Sequence, residues 1–310
     1  MNHYRRSTFP LVSSSRMAEA AFPSVEQVRA FREQAAEAAR LGGAKLRRLF
    51  GTAVAQRFKS SGRDFVTEAD LASEKVILSF IEEHHPDHAW LSEEAGQRAA
   101  SASPYRWVVD PLDGTANFAH GYPHFGVSVA LLFEDRSIAG AVYDPLRDEC
   151  FDGALGQGAA LDGTPLAVST IATLDRALVS TGFPYEPPER RSAVAALTAR
   201  AIERVQMLRR SGSAALDLCY VASGRAEAHW EWGLNLHDVA AGLLLVQEAG
   251  GTVATLASPG WPEGHLAANG SAIREAVLAL MREHFGPVEP CEARLLAPMP
   301  SRAAPGGTPR

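Results

Sequence analysis

The sequence of 310 residues predicts a mixed α/β fold in two lobes. In the first half, a long amphipathic helix precedes apolar, β-branched runs, which indicates α+β organisation. In the second half, strand-like and helix-like segments alternate, as is typical of an α/β lobe. No internal repeat or low-complexity linker separates the halves. We therefore place an N-terminal lobe at residues 24–165 and a C-terminal lobe at residues 166–290.

The N-terminal lobe is expected to begin with a helix. Ser24 starts a capping-box pattern, and an Ala-rich amphipathic stretch follows it to about Phe50. A second helix-like run covers residues 71–81. The apolar runs 127–133 and 138–143 are separated by a short charged segment, which predicts a β-hairpin.

The C-terminal lobe is expected to alternate strands and helices. Residues 177–181 are strand-like, whereas residues 189–206 and 213–223 are helix-like. A further helix is expected to start near Asp238 and to end at the glycines of residues 250–251.

Both chain ends are expected to be disordered. Residues 1–23 contain no apolar stretch long enough for a signal peptide or a membrane span, and Met17 is an alternative start. We interpret them as a leader. Residues 291–310 lack the apolar content needed to pack, and they should form a flexible tail.

The composition favours a cytoplasmic enzyme that acts on a small molecule. The net charge is −6 and no basic cluster offsets it, which argues against nucleic acid as the main ligand. No segment is apolar enough to enter a membrane. The cysteines are widely spaced and form no Cys-x-x-Cys pair, so neither a disulfide framework nor a zinc site is indicated for Cys150, Cys219 and Cys291.

The strongest functional signal is an apolar strand that runs into Asp110-Pro-Leu-Asp113-Gly-Thr115. Two carboxylates at the end of a buried strand, with the Leu112 carbonyl between them, are oxygen ligands typical of a cation site. Gly114 permits close backbone approach, and Thr115 offers a hydroxyl and an N–H group where a helix could begin, which suits a phosphate. Alternatively, Asp110 only ends a strand and Asp113 only caps a helix.

Three further acidic segments occur along the chain. Asp64 and Asp70 flank a short apolar turn, a pair of glutamates begins at Glu93, and Asp238 stands at a helix start. Asp70 and Asp238 could instead be ordinary N-caps, and the glutamate pair could be a solvated turn. Several such segments in one chain favour a shared metal site over coincidence.

In these segments the chain resembles the inositol monophosphatase family of magnesium-dependent, lithium-sensitive sugar and polyol phosphatases, and in particular its bacterial inositol-1-monophosphatase type. The matching features run in the family's order from about Lys59 to Gly251: the Asp64-to-Asp70 segment, Glu93-Glu94, Asp110-to-Thr115, Gly156-Gln-Gly158-Ala, Gly212-Ser213-Ala214 and the Glu231-to-Gly242 block. The resemblance implies a layered αβαβα sandwich, a site in the crevice between the lobes, and a homodimer.

The resemblance also implies two magnesium ions and a weaker third one. Glu93, Asp110 and the Leu112 carbonyl would hold the first ion, and Asp110, Asp113 and Asp238 would hold the second. Asp110 would then bridge both ions, so that one carboxylate offsets their mutual repulsion. Glu93 would contact the third ion through water.

The activity implied is hydrolysis of inositol 1-phosphate by a metal-activated water, without a phosphoenzyme. The catalytic residues would be Asp70, Thr115 and Glu93, with the Thr115 hydroxyl held by Asp70. The phosphate and the hydroxyl groups of the substrate would be bound by residues of both lobes: Asp113, Gly114, Thr115, Gly212, Ser213, Ala214, Glu231 and Asp238.

Some positions carry weaker expectations. His237 stands where the family usually has Trp, and we expect it to pack or to form a hydrogen bond rather than to bind metal, although it could add a titrating group. Arg209 or Arg210 could contact the substrate, but a surface charge is the favoured interpretation. Lys59 and Asp64 are expected to tune the loop near the weaker metal position.

Other substrates remain open within the same superfamily: histidinol phosphate, fructose 1,6-bisphosphate and 3′-phosphoadenosine 5′-phosphate. Nucleotide phosphatases usually have Lys-Glu after Asp-Gly-Thr, whereas here Ala116-Asn-Phe118 follows, and the later His120-to-Phe125 segment resembles the inositol group. A regulatory binding protein that kept the fold and lost catalysis is an alternative of a different class. The complete set of metal ligands argues against it.

Overall fold

The computed structural model describes residues 21–52, 56–61, 64–99, 103–183, 188–285, 287–291 and 295, with the backbone alone at 56–61, 64–66, 188 and 189. The predicted leader up to residue 20 lies outside this part of the chain, as does the predicted tail from residue 292 except for Leu295. Among the described residues, no helix is both long enough and apolar enough to cross a bilayer.

The first sheet has eight strands, and it follows a hairpin of β1 (Gln56–Ser61) and β2 (Asp64–Thr67). From one edge to the other, its strands are β10 (Thr164–Pro165), β9 (Gly158–Leu161), β8 (Glu149–Ala154), β7 (Arg136–Asp144), β6 (Gly126–Phe133), β5 (Tyr105–Asp113), β3 (Ala89–Ser92) and β4 (Gly96–Arg98). All neighbours are antiparallel except β3 and β5, which are parallel. The pairing of β6 with β7 confirms the predicted hairpin.

The second sheet has six strands. Their order is β12 (Met207–Arg209), β11 (Leu178–Thr181), β13 (Ala228–Trp232), β15 (Gly264–Ala268), β14 (Thr252–Ala257) and β16 (Glu289–Cys291). β11 is parallel to both of its neighbours, and the remaining pairs are antiparallel. A short 3-10 helix, Leu174–Arg176, precedes β11.

The long helices form three layers that alternate with the two sheets. One face of the first sheet is covered by α1 (Val25–Leu49) and α2 (Glu68–His84), α5 (Ala214–Ala222) and α6 (Leu236–Glu248) lie between the sheets, and α4 (Pro188–Arg204) and α7 (Ser271–Phe285) cover the second sheet. Each of the three helix layers has its own buried apolar cluster. The predicted αβαβα sandwich is confirmed. The division between lobes at residue 165 stays a prediction.

Two helices begin earlier than the sequence predicts. Thr67 is the N-cap of α2, and Asp70, the third residue of that helix, accepts the Thr67 N–H at 2.8 Å and its hydroxyl at 2.6 Å. Asp238 has the same position in α6, behind the N-cap Asn235. The interpretation of Asp70 and Asp238 as N-caps is therefore wrong. Both carboxylates are third residues of their helices and point back at the helix start.

A β-bulge at the end of β5 sets the direction of its two aspartates. Asp110 pairs with Ser128 and Asp113 pairs with Gly126, so β5 advances by three residues while β6 advances by two. In a regular strand, residues an odd number apart point to opposite faces. The extra residue restores a common direction for both carboxylates, and the residues after β5 form the short helix α3 (Thr115–Ala119).

Helix α2 is fixed against α1 by Ile77. This side chain is fully buried, and its Cδ1 atom lies 2.6 Å from the point where a Cβ on Gly42 would be. We expect Ile77→Ala to lower the free energy of unfolding by about 2–5 kcal/mol, because a cavity would remain between the helices.

Ile202→Ala is the matched control, since Ile202 is also helical but is 63% exposed. It should change the free energy of unfolding by less than about 0.5 kcal/mol. Urea denaturation of both variants measures the difference, and equal losses would contradict the packing assigned to Ile77.

Candidate metal and phosphate site

The site lies where β3 and β5 end side by side. Their parallel register pairs Ser92 with Val109, so Glu93 and Asp110 follow at the same edge of the sheet. The N–H of Glu93 also donates to the Val109 carbonyl at 3.3 Å. Asp110 is buried and Glu93 is half-buried. The glutamate pair is therefore not the solvated turn of the alternative interpretation.

Glu74 supports the turn that carries Glu93. It is buried on α2, and its Oε1 atom accepts the Ser92 hydroxyl at 2.5 Å and the N–H groups of Glu94 and Ala95 at 3.1 and 2.9 Å. The motifs in the sequence do not include this residue. Its spacing of four from Asp70, which places both carboxylates on one face of the helix, is a signal that could have identified it.

Asp113 joins the end of β5 to the start of α5. Its Oδ2 atom accepts the Ser213 hydroxyl at 2.6 Å and the N–H of Ala215 at 2.7 Å. The N-cap of α3 is Gly114, so the alternative interpretation of Asp113 as the cap of the helix that follows it is wrong. Ser213 is the N-cap of α5. The predicted group Gly212-Ser213-Ala214 therefore lies directly beside the predicted ligand Asp113.

Gly114 occupies a position that only glycine fits. Its φ angle is +96°, and a Cβ there would lie 3.1 Å from the His124 carbonyl oxygen and 3.2 Å from that of Gly212. Asn117 holds the same two segments together, because its Nδ2 atom donates to the carbonyls of His124 and Ser211 at 2.7 and 2.8 Å. The turn after β5 is thus fixed against the loop before α5.

Thr115 contacts Asp70, as the resemblance implies. Its hydroxyl oxygen lies 3.1 Å from Oδ1 of Asp70 and 3.0 Å from the Leu112 carbonyl oxygen, so its single proton can be donated to either acceptor. Burial is the largest influence on Asp70 and raises the pKa of this carboxyl to about 6. Asp70 is therefore an acceptor that titrates close to neutral pH.

The first turn of helix α6 lies close to Asp110 and Asp113 at the end of β5. Oδ2 of Asp238 accepts the N–H of Asn235 at 2.6 Å, and the carboxylate acts electrostatically on Asp110 and Asp113. The preceding residue, His237, has its Nε2 atom 3.4 Å from Oδ1 of Asp238.

The carboxylates repel one another. Burial is the largest influence on Asp110 and raises the pKa of its carboxyl well above the ordinary value. The charges of Glu93, Asp113 and Asp238 raise it further. Burial followed by the charge of Asp238 raises the pKa of Asp113 to about 7, and burial also raises the pKa of Asp238. A divalent cation among these oxygens would offset the repulsion. The residues present therefore fit a hard divalent ion.

Glu231 lies on β13, where the charges of Asp238 and Asp113 act on its carboxyl group. Burial raises the pKa of its carboxyl to about 8, and the charge of Arg210 opposes that shift. A Cβ on Gly182 would lie 1.9 Å from the Glu231 carboxyl carbon, so the carboxylate occupies space that only glycine leaves open. The charge of Arg210 thus acts on Glu231, whereas Arg209 donates hydrogen bonds to Leu208 and Met207 on its own strand.

A buried polar group behind Glu231 was also missed by the sequence analysis. Nδ1 of His229 lies 3.0 Å from the Ser180 hydroxyl and 3.6 Å from Oδ2 of Asp217, and its Nε2 atom lies 3.8 Å from Oε2 of Glu231. Burial lowers the pKa of His229 to about 3 and raises that of Asp217 to about 7. The imidazole is therefore neutral. The sequence indicates this group only through the presence of polar residues within apolar segments.

The structure brings the predicted metal and catalytic residues together at the ends of β3 and β5 and the starts of α2, α5 and α6. Glu231 joins them from β13 in the second sheet. The side chains of Lys59 and Asp64, predicted to tune a neighbouring loop, lie outside the described residues.

Comparisons with known proteins agree with this geometry. Residues 27–284 match the model of the inositol monophosphatase family. An inositol-1-monophosphatase of Synechocystis is 44% identical over 221 residues, which cover 71% of this chain and 77% of the relative. The Nus factor SuhB of Escherichia coli is 39% identical over 254 residues, which cover 81% of this chain and 95% of the relative.

Solved structures have the same fold. The extragenic suppressor protein suhB of Bartonella henselae superposes with a TM-score of 0.76 at 33% identity, covering 82% of this chain and 99% of that one. An inositol monophosphatase from Anabaena superposes with a TM-score of 0.72 at 37% identity, covering 83% of this chain and 97% of that one. The chain belongs to the inositol monophosphatase family of phosphatases.

Proposed function

We propose that this protein is a magnesium-dependent phosphomonoesterase that converts myo-inositol 1-phosphate and water into inositol and phosphate. The observation that carries the proposal is the convergence of Glu93, Asp110, Asp113 and Asp238 beside the Thr115–Asp70 hydrogen bond. Hydrolysis of a phosphate monoester has a very high barrier, and such a carboxylate cluster is what a metal-assisted reaction requires.

The metal ligands are assigned to the residues at the strand and helix ends. Glu93, Asp110 and the Leu112 carbonyl would hold one Mg²⁺, and Asp110, Asp113 and Asp238 would hold a second, with a weaker third ion near Glu93. When bound, the ions supply charge that offsets the phosphoryl oxygens and lowers the pKa of coordinated water. The Leu112 carbonyl oxygen would bind the first ion through one of its two lone pairs, because the Thr115 hydroxyl lies against the same oxygen.

Thr115 and Asp70 are assigned to proton transfer. Asp70 accepts the Thr115 proton, which leaves a lone pair of the Thr115 oxygen to accept a hydrogen bond from the attacking water. Because Thr67 already donates its N–H and its hydroxyl to the other carboxylate oxygen, Asp70 is fixed in direction. Glu93 would assist from the metal side.

The substrate is assigned to the space between the turn after β5 and the start of α5. The N–H groups of Gly114 and Thr115 would bind the phosphate, with Gly212 and Ser213 framing the pocket. The inositol hydroxyls would be bound by acidic side chains and one backbone group: Asp113, Ala214, Glu231 and Asp238. We also propose that the enzyme is cytoplasmic, which its composition favours, and that it is a homodimer, which the family resemblance implies.

A substrate panel tests the proposal against its alternatives. Phosphate release with Mg²⁺ should be fastest from inositol 1-phosphate among that ester, histidinol phosphate, fructose 1,6-bisphosphate and 3′-phosphoadenosine 5′-phosphate. Faster release from another ester would reassign the substrate. No release from any of them would favour a binding role, a class that the name Nus factor of several relatives represents.

Asp113→Asn should abolish turnover and leave the fold intact. The substitution removes charge from the ligand set, but it keeps an oxygen that can accept the bonds from Ser213 and Ala215. Asp175→Asn is the control, because Asp175 is exposed. Phosphate release across a magnesium titration, with circular dichroism as the check on folding, decides the outcome. Near-normal turnover in a folded Asp113→Asn protein would remove Asp113 from the ligand set.

Thr115→Ala and Asp70→Asn should each lower kcat by roughly two to four powers of ten, the usual effect of acid–base groups. If the two residues form one relay, the double variant should be little slower than either single variant. Steady-state kinetics of the three proteins tests this expectation. Losses that multiply in the double variant would show that Thr115 and Asp70 act separately.

Gly182→Ala should impair recognition of the polyol and spare the chemistry. The new Cβ would displace the Glu231 carboxyl group, whose atoms lie 1.9–2.0 Å from its position. We expect the KM for inositol 1-phosphate to rise roughly tenfold, the effect of losing one hydrogen bond. Turnover of p-nitrophenyl phosphate, which lacks the hydroxyls, should stay within about twofold of wild type on the same scale. Equal effects on both esters would contradict a recognition role for Glu231.

A further inference from the structure

The metal site of this chain has a nitrogen donor among its carboxylates. A ring nitrogen of His237 and carboxylate oxygens of Glu93 and Asp110 all lie within 4.8 Å of one another. We infer that His237 binds the metal directly, so that the site accepts a divalent first-row transition ion such as Co²⁺ through one nitrogen ligand in addition to Mg²⁺. This inference rests on the proposed metal-dependent function and adds a ligand to its metal site.

The spacing of these atoms suits one ion. Ligand atoms bound at about 2.1 Å lie roughly 3 Å apart when adjacent and about 4.2 Å apart when opposite in an octahedral site. Three ligands of one ion include at most one opposite pair, and the three atoms here all lie within 4.8 Å of one another. On binding one ion, these side chains would therefore rotate toward each other by up to about 2 Å.

The backbone of His237 is fixed at the site by two elements. The Ser128 hydroxyl on β6 donates to the His237 carbonyl at 3.2 Å, and the next residue, Asp238, is tied to Asn235. Only 12% of the His237 side chain is exposed, so it is not a solvated surface imidazole. Packing alone would be served by any aromatic ring, whereas this ring has its Nε2 atom 3.4 Å from a carboxylate oxygen.

A nitrogen ligand widens the range of ions that the site can bind. Mg²⁺ favours oxygen ligands and retains several waters, whereas imidazole is a good ligand for iron, cobalt, nickel and zinc. A set of Glu93, Asp110 and His237 therefore combines one imidazole with two carboxylates. The sequence analysis expected His237 to pack or to form a hydrogen bond, since nothing in the sequence places it against Glu93.

Proton NMR of the purified full-length protein loaded with Co²⁺ tests direct binding. High-spin Co²⁺ strongly shifts the ring protons of a histidine that is bound to it. We expect such shifted resonances, including an exchangeable ring N–H signal, in the wild-type protein. They should be absent from His237→Phe, which keeps an aromatic ring and lacks the nitrogens, and unchanged in His84→Phe. His84 is the last residue of α2, about 20 Å along that helix from Asp70.

Calorimetric titrations with Co²⁺ and with Mg²⁺ provide the second measurement. His237→Phe should bind Co²⁺ on the order of tenfold or more weakly, and its Mg²⁺ affinity should change much less. His84→Phe should keep both affinities. Absence of shifted histidine resonances in the Co²⁺-loaded wild type would overturn the inference, as would an equal loss of affinity for both ions.

These measurements are independent of the proposed reaction, because no substrate is present. Shifted resonances from His237 in a protein that releases no phosphate from any ester would refute the proposed function and support the metal site. Phosphate release with Mg²⁺ in a protein without such resonances would support the function and refute the role of His237.

Discussion

The structure depends on placing several carboxylates together, out of water, at one end of a sheet. Burial first, and then the charges of neighbouring carboxylates, raise the pKa values of Asp110 and Asp113, and burial raises that of Asp238, so the folded protein binds protons at these groups more tightly than the unfolded chain does. Raised pKa values of acids in the folded state mean that protonation stabilises the fold at low pH and that this contribution is lost as the pH rises. Near neutral pH, a bound cation would supply the positive charge that protons supply in acid.

The remaining contacts hold the carboxylates against this repulsion. Asp110, Asp113 and Asp238 each accept a backbone N–H, from Leu112, Ala215 and Asn235 respectively. Two of these donors lie at the starts of helices in the middle layer, where unpaired N–H groups favour negative charge. The middle helices contact both sheets, so they bring Asp238 to the end of the first sheet while Glu231 comes from the second.

The sequence predicts well what lies close together along the chain. Asp110 and Asp113 follow one apolar strand, and their grouping with Gly114 and Thr115 is visible in a single motif. The helix 189–206 was predicted to run two residues too far, because the short edge strand β12, Met207–Arg209, has no alternating pattern of its own. The alternative interpretation of Asp70 and Asp238 as simple caps was wrong, because a capping box and a simple cap both place an acid near a helix start.

What the sequence could not predict depends on pairing between distant segments. Glu74 holds the turn of Glu93 because α2 packs against β5, the neighbour of β3. Gly182 makes room for Glu231 because β11, which it follows, lies next to β13. A lone glycine or glutamate carries no mark of such a partner. Likewise, His237 is one residue from a predicted ligand, yet its distance to Glu93 is set by the packing of α6 against the first sheet.

If Glu231 binds the polyol as proposed, its position separates recognition from catalysis. The carboxylates beside Thr115 come from the first sheet and from the helices at its end, whereas Glu231 comes from the second sheet and rests against Gly182. Behind it, the neutral imidazole of His229 and the hydroxyl of Ser180 occupy a fully buried space. Changes in this second-sheet group would move the Glu231 carboxylate without touching the atoms that contact Asp110. A family with this arrangement can therefore alter which phosphate ester it accepts while the hydrolytic chemistry stays the same.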